Sequence, residues 1–188
     1  NLAIAIDCAE PNYYDGALQT MRHLIGLGHR RIGFVYGVAD PGLGTDRLNA
    51  YQDSLASAGL ELDESLIEPC GTTLEAGYEA TLRLLERSPR PTAILVINDL
   101  LAVGALRAAS VRGISVPDDL SIASFDDIEM AAYTSPPLTT MRVNAEEVGR
   151  TAARLLLMRL QNPSLPAQHA RIPSRLVVRG SSGRAPLS

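Results

Sequence analysis

The sequence predicts an α/β fold, an open parallel sheet with helices on both faces, and three observations carry that reading. Ala93–Ile97 is an unbroken apolar run with β-branched residues and no in/out alternation, as in a parallel strand covered on both sides. Asn98 and Asp99 follow it, then helix formers from Leu100 to Arg112, a stop at Gly113, a turn at Val116-Pro117-Asp118-Asp119 and a second apolar run, Leu120–Ser124. That is a βαβ unit. Elsewhere in the 188 residues, short apolar runs and helical periodicities alternate.

In order, Leu2–Ile6 reads as a short strand that starts with no cap or turn before it, as if cut from something longer. Asp15–Leu27 has apolar residues at helical spacing and closes on Gly28, with His23 and His29 beside that end as surface residues or partners of the helix dipole. Arg31–Tyr36 is a strand running into a glycine-rich loop, Gly37–Asp46, which has neither the GK[ST] of a P-loop nor a GxGxxG. The loop delivers Thr45, Asp46 and Arg47 to the first turn of a helix reaching Ala58-Gly59. Leu66–Cys70 is a strand, Leu74–Arg87 a helix, and Ser88–Pro91 a break. Thr134–Pro137 is a turn, Leu138–Met141 an extended piece and Ala145–Leu160 a helix ended by Asn162-Pro163. Ile172–Val178 is a strand broken by Pro173, hence an edge strand, and Gly180–Ser188 is a frayed polar tail.

Composition narrows the function classes. The chain is 46% hydrophobic, enough for a real core, yet no stretch approaches the roughly 18 apolar residues of a membrane span. The formal charge is −4 with no basic stripe, so this segment should not itself bind DNA. Cys8 and Cys70 lie far apart without metal-ligand spacing, which predicts two buried thiols in a reducing compartment, no disulfide and no metal. No cofactor fingerprint, nucleophile elbow or matched acid/base pair is present, so an enzyme is not expected.

Ligands of open parallel sheets bind beyond the carboxyl ends of the strands, where Asn98, Asp99, Asp126 and Asp127 are expected to fall. Each is equally at home as a cap of a helix or turn, and the sequence leaves that choice open. Arg47 also follows a strand end; the helix dipole disfavours a first-turn cation, which brings a role in donating to ligand hydroxyls or a carboxylate level with that of a solvated surface arginine, and the sequence leaves the two open. From Leu100 to Val111 only Arg107 and Ser110 are polar, so that helix needs cover on two sides. A homodimer through it is the expectation.

Six phrases, in order, resemble the LacI-type family of bacterial transcriptional regulators: HLIGLGHRRI from His23, PTAI from Pro91, Asn98-Asp99, VPDDLSI from Val116, Phe125-Asp126-Asp127-Ile128 and PLTT from Pro137. The resemblance implies a periplasmic-binding-protein-like (type I) regulatory core of two α/β lobes around a small, sugar-like effector. This chain would supply mainly the C-terminal lobe, residues 12–141 and 168–180. Residues 1–11 and 142–167 would be remnants of the N-terminal lobe, 181–188 a tail, and the helix-turn-helix domain that contacts operator DNA would lie outside the sequence. Carried over by motif, Arg47 of Arg47-Leu48-Asn49-Ala50-Tyr51, Asn98 and Asp126 are the effector contacts, with Thr45, Tyr51 and Phe125 secondary to them. Pro11-Asn12 departs from the family's Asp-Asn before the first helix, which puts one contact in doubt. The implied protein is cytoplasmic and uses no cofactor; a periplasmic sugar-binding protein of a transporter is the alternative.

Overall fold

A computed structural model describes residues 6–37 and 45–186. The main body is a six-stranded sheet of β2 (Ile32–Gly37), β3 (Ile67–Cys70), β4 (Ala93–Val96), β5 (Ser121–Asp126), β6 (Thr139–Arg142) and β8 (Arg175–Val177). Their order is β3-β2-β4-β5-β6-β8, parallel throughout except for β8, which pairs antiparallel with β6 at the edge. Helices α1 (Tyr13–Gly26) and α2 (Thr45–Ser57) cover one face, and α3 (Leu74–Leu85) and α4 (Asp99–Val111) the other. Strand residues alternate between two cores: Val35, Ile94, Val96 and Ile122 face α3 and α4, whereas Phe34, Leu95, Ala123 and Phe125 face α1 and α2. Burying each large apolar side chain contributes roughly 1.5–3 kcal/mol, and β4 buries every residue, which fixes it in the middle.

A smaller unit stands beside this body. Strand β1 (Cys8–Pro11) pairs parallel with β7 (His169–Ile172), and α5 (Ala145–Gln161) packs on that pair. Helix α5 buries Thr151 and Leu155 but leaves Leu156, Leu157 and Leu160 58–68% exposed, a bare apolar surface.

Several expectations change. Of the strand expected at Leu2–Ile6, residues 1–5 lie outside the described set, Ile6 is exposed without regular structure, and β1 begins at Cys8. The lobe boundaries expected at 142 and 168 shift, because Arg142 pairs within the main sheet and His169–Ile172 pairs with β1. Pro173 falls between β7 and β8 and separates them. Leu138–Met141 becomes a true strand on the parallel sheet.

The second cover of α4 is α3, so the argument from coverage for a dimer through α4 fails. The two helices touch backbone to backbone at Gly77 and Gly104: a Cβ on Gly104 would sit 2.1 Å from the Leu74 carbonyl oxygen, and one on Gly77 2.3 Å from that of Leu101.

The tail is not frayed up to Ala185. Ser181 is fully buried; its Oγ donates to the Ile122 carbonyl (2.6 Å) and accepts from the Thr139 N–H (2.8 Å). The Ser182 hydroxyl meets His23 Nε2 (2.9 Å), and the Ala185 N–H donates to the Leu27 carbonyl (3.0 Å). His29 is likewise buried, not on the surface, held by Thr92 Oγ1 (2.9 Å), Ser121 Oγ (3.0 Å) and the Gly183 carbonyl (3.1 Å).

Burial holds the His29 pKa below its ordinary 6.5, outweighing the Gly183 bond, so the unfolded chain takes up a proton that the folded one resists. The stability this contributes is complete above pH 6.5 and is lost as pH falls below it. Asp126, with its carboxyl pushed up to about 6, acts with the opposite sign in the same window. The His29 share is therefore read as a difference: in urea titrations between pH 7.5 and 5.5, His29→Gln should lose less stability on acidification than the wild type, and equal slopes would refute it.

Candidate ligand-binding site

From β2 the chain moves to β3 on one side, then crosses to β4 on the other, so the strand order reverses between β2 and β4. In open parallel sheets the connections leaving the carboxyl ends at such a reversal diverge, and a ligand crevice is expected there. The first turn of α2 follows β2 and carries Arg47, while β4 leads into Asn98. Leu95 pairs with Ala123; three residues further on, Asn98 and Asp126 stand level on neighbouring segments.

Arg47 is 8% exposed, and its guanidinium carbon lies 3.9 Å from the centre of the Tyr13 ring and 5.5 Å from that of Phe125. Such cation–π contacts are worth about 0.5–2 kcal/mol and order the cation before any ligand arrives. The solvated surface alternative for Arg47 is thereby excluded. Tyr13 went unremarked in the sequence, although a signal was there: Asn12 caps α1 by accepting from the Asp15 N–H (3.1 Å), which makes Tyr13 the first helical residue, facing the crevice mouth.

Strand β5 ends on two successive residues in the left-handed region, Asp126 at φ 108° and Asp127 at φ 58°, a conformation costing roughly 1–3 kcal/mol for each non-glycine. The kink sends the two carboxylates apart. Asp127 pairs with Arg142 and, at 2.6 Å, with Arg179; these bonds outweigh burial and hold its pKa down. Asp126 stays at the crevice, its carboxyl pushed up to about 6 first by burial and then by the charge of Asp99, with Arg47 opposing both.

Asn98 caps α4: its Oδ1 accepts from the Leu101 N–H (2.9 Å), and the residue is half-buried just beyond the end of β4. Asp99 is wholly structural: fully buried, it accepts from the hydroxyls of Ser124 and Thr140 (2.6 Å) and from the Ile128 N–H (2.8 Å). Burial pushes its pKa up against those bonds.

The secondary contacts separate from the site. Tyr51 is 1% exposed, stacks on Phe34 and donates its hydroxyl to the Ile32 carbonyl (2.8 Å), at the opposite end of β2. Phe125 is fully buried beneath Arg47 and the edge of the Tyr13 ring. Thr45 is exposed at the start of α2, beside residues 38–44, which lie outside the described set with most of the glycine-rich loop. Cys8 and Cys70 are half-buried rather than buried, and burial pushes the Cys70 thiol up to about 11.

Comparison with known proteins agrees with the fold. The periplasmic binding protein-like domain family matches residues 21–182. The transcriptional regulator CelR of Thermobifida fusca is 34% identical over 166 residues, 88% of this chain and 49% of that protein. A CelR–cellobiose complex superposes with a TM-score of 0.89 at 32% identity, covering 94% of this chain and 54% of that one. A LacI family regulator from Enterococcus faecium with bound ribose superposes with a TM-score of 0.86 at 32% identity, covering 97% and 66%. The chain spans about half the length of the curated relatives it matches. It belongs to the periplasmic binding protein-like domain family, in the form carried by the LacI-type transcriptional regulators.

Proposed function

We propose that this chain is the effector-sensing core of a LacI-type regulator and that Arg47, Asn98 and Asp126 hold a small sugar-like effector. What supports the reading is that all three residues end or follow a strand at the strand-order reversal, with Arg47 beside the Tyr13 ring and its charge felt by the Asp126 carboxyl. A polyhydroxylated ligand needs such a set, because each hydroxyl both donates and accepts. The cellobiose and ribose complexes of the two relatives favour sugar over other polar ligands, and resemblance to regulators favours this role over transport. We assign residues 1–11 and 143–172 to the second lobe, which closes the crevice from the other side. The effector acts through its different affinity for the two lobe arrangements, and no bond is made or broken. A DNA-binding domain elsewhere in the protein reads that difference, in a cytoplasmic homodimer for which the α3–α4 surface around Leu74, Tyr78 and Val103 is the candidate contact.

Calorimetric titration of the full-length protein with cellobiose, ribose, sugar phosphates and nucleosides tests this. Saturable binding of one of them is expected, weakened at least roughly tenfold by Arg47→Ala or Asp126→Ala, since each removes a charged hydrogen bond worth about 1.5–3 kcal/mol. The ionised Asp126 is the stronger acceptor, so affinity should rise from pH 5 to pH 7 through its value of about 6. Tight binding indifferent to both substitutions would overturn the site.

A further inference from the structure

We infer that the β1–β7 pair carries a zinc site formed by Cys8, Glu10 and His169. The register places it: Cys8 is paired with His169 and Glu10 with Arg171, while Ala9 and Ala170 between them face the other way. One face of this two-stranded sheet is thus small and apolar, with Ala9 towards Leu155 and Leu156 of α5. The opposite face presents a thiol, a carboxylate and an imidazole whose ligand atoms all lie within 4.8 Å of one another.

A tetrahedral zinc ion with bonds of about 2.0–2.3 Å sets its ligands roughly 3.4–3.6 Å apart. His169 Nε2 and Glu10 Oε1 are 2.8 Å apart and need only separate slightly, while Cys8 Sγ, within 4.8 Å of both, is brought to bonding distance by side-chain rotation. A sulfur, a nitrogen and an oxygen donor suit zinc or cobalt rather than calcium or magnesium, which take oxygen ligands. Arg171 competes for Glu10 at 3.3 Å, but it has a second carboxylate 3.6 Å away, Asp46, on which it can settle when the metal takes Glu10. Coordination releases the thiol proton to solvent, so affinity rises with pH. The sequence hid this site because His169 lies 161 positions from Cys8, and only strand pairing joins them.

The site spans both strands that lead into the main body: the Asn12 N–H, at the entry to α1, donates to the Ile172 carbonyl (2.8 Å), and β7 continues through Pro173 to β8. A bound ion would clasp the two connections together.

Cobalt(II) titration of the full chain at pH 7.5 tests the inference. One equivalent should give a near-ultraviolet thiolate-to-cobalt charge-transfer band that zinc bleaches. The band should vanish in Cys8→Ser and persist in Cys70→Ser, and the cobalt Kd should weaken at least roughly tenfold in His169→Ala, as loss of a direct ligand exceeds the cost of losing an outer partner. Thermal melts of the metal-free variants confirm that these part-exposed residues leave the fold intact. No band, or a band kept by Cys8→Ser, would overturn the site. Because the readout is the metal's own spectrum, it is independent of effector binding.

Discussion

Asp99→Ala should destabilise the protein by about 2–3 kcal/mol, the cost of taking from buried hydroxyl and backbone donors the carboxylate they share. Three donors converge on this fully buried carboxylate, from β5 (Ser124), β6 (Thr140) and the backbone at Ile128. Without it the two hydroxyls can rotate to other acceptors, but the part-buried Ile128 N–H cannot, and a buried donor left without its acceptor costs up to about 1–3 kcal/mol. Asp99→Asn separates these contributions, because one carbonyl oxygen remains and the hydroxyls can reverse. It should therefore fall between Ala and the wild type in urea denaturation. A loss under 1 kcal/mol for Asp99→Ala would show that the three strand ends hold themselves.

Gly104→Ala sets two effects of opposite sign against each other. In an open helix the change stabilises by about 0.8–1 kcal/mol, because alanine is the better helix former. Here the added Cβ would lie 2.1 Å from the Leu74 carbonyl oxygen and 2.7 Å from the Tyr78 nitrogen, both backbone atoms that no rotamer change can move aside. Helices α3 and α4 would have to separate along their whole contact, loosening Ala80, Leu84, Leu101 and Ala105 in the core between them. Overpacking of this kind costs about 1–3 kcal/mol even where side chains can yield, so the expected net loss is about 2 kcal/mol or more, seen as a lower urea midpoint at unchanged slope. A rise in the midpoint would mean that the helices have room to spare.

The central strand was legible in the sequence because a strand buried on both faces must be apolar throughout, and Ala93–Val96 has no other explanation. Arg47, Asn98 and Asp126 were legible by position, as polar residues where strands stop. What was illegible depends on partners far along the chain. Helix α4 looked uncovered because α3 meets it through Gly77 and Gly104, and glycine leaves no apolar signature. Asn98 and Asp99 are adjacent and chemically alike, yet one caps α4 and the other ties β5 to β6; the position of Thr140, 41 residues away, decides which. Tyr51 belongs to the same motif as Arg47, but it lies four positions on, one helical turn deeper, and ends against the far end of β2. The Ser-Ser-Gly tail has the composition of a loose end, and its hydrogen bonds to β5, β6 and α1 are visible only in three dimensions.

That tail also bears on synthesis at the ribosome. The buried Ser181 hydroxyl serves the Ile122 carbonyl and the Thr139 N–H, and the Gly183 carbonyl serves His29; all three lie upstream, and none has that partner until residues 181–183 emerge. Chains fold from the N-terminus as they are made, at about 5–20 residues per second, so strands β2 to β6 wait for the last stretch before their amino ends are sealed. A nascent chain paused short of Ser181 would be a partly built sheet with polar groups open at one end, which chaperones would have to shelter.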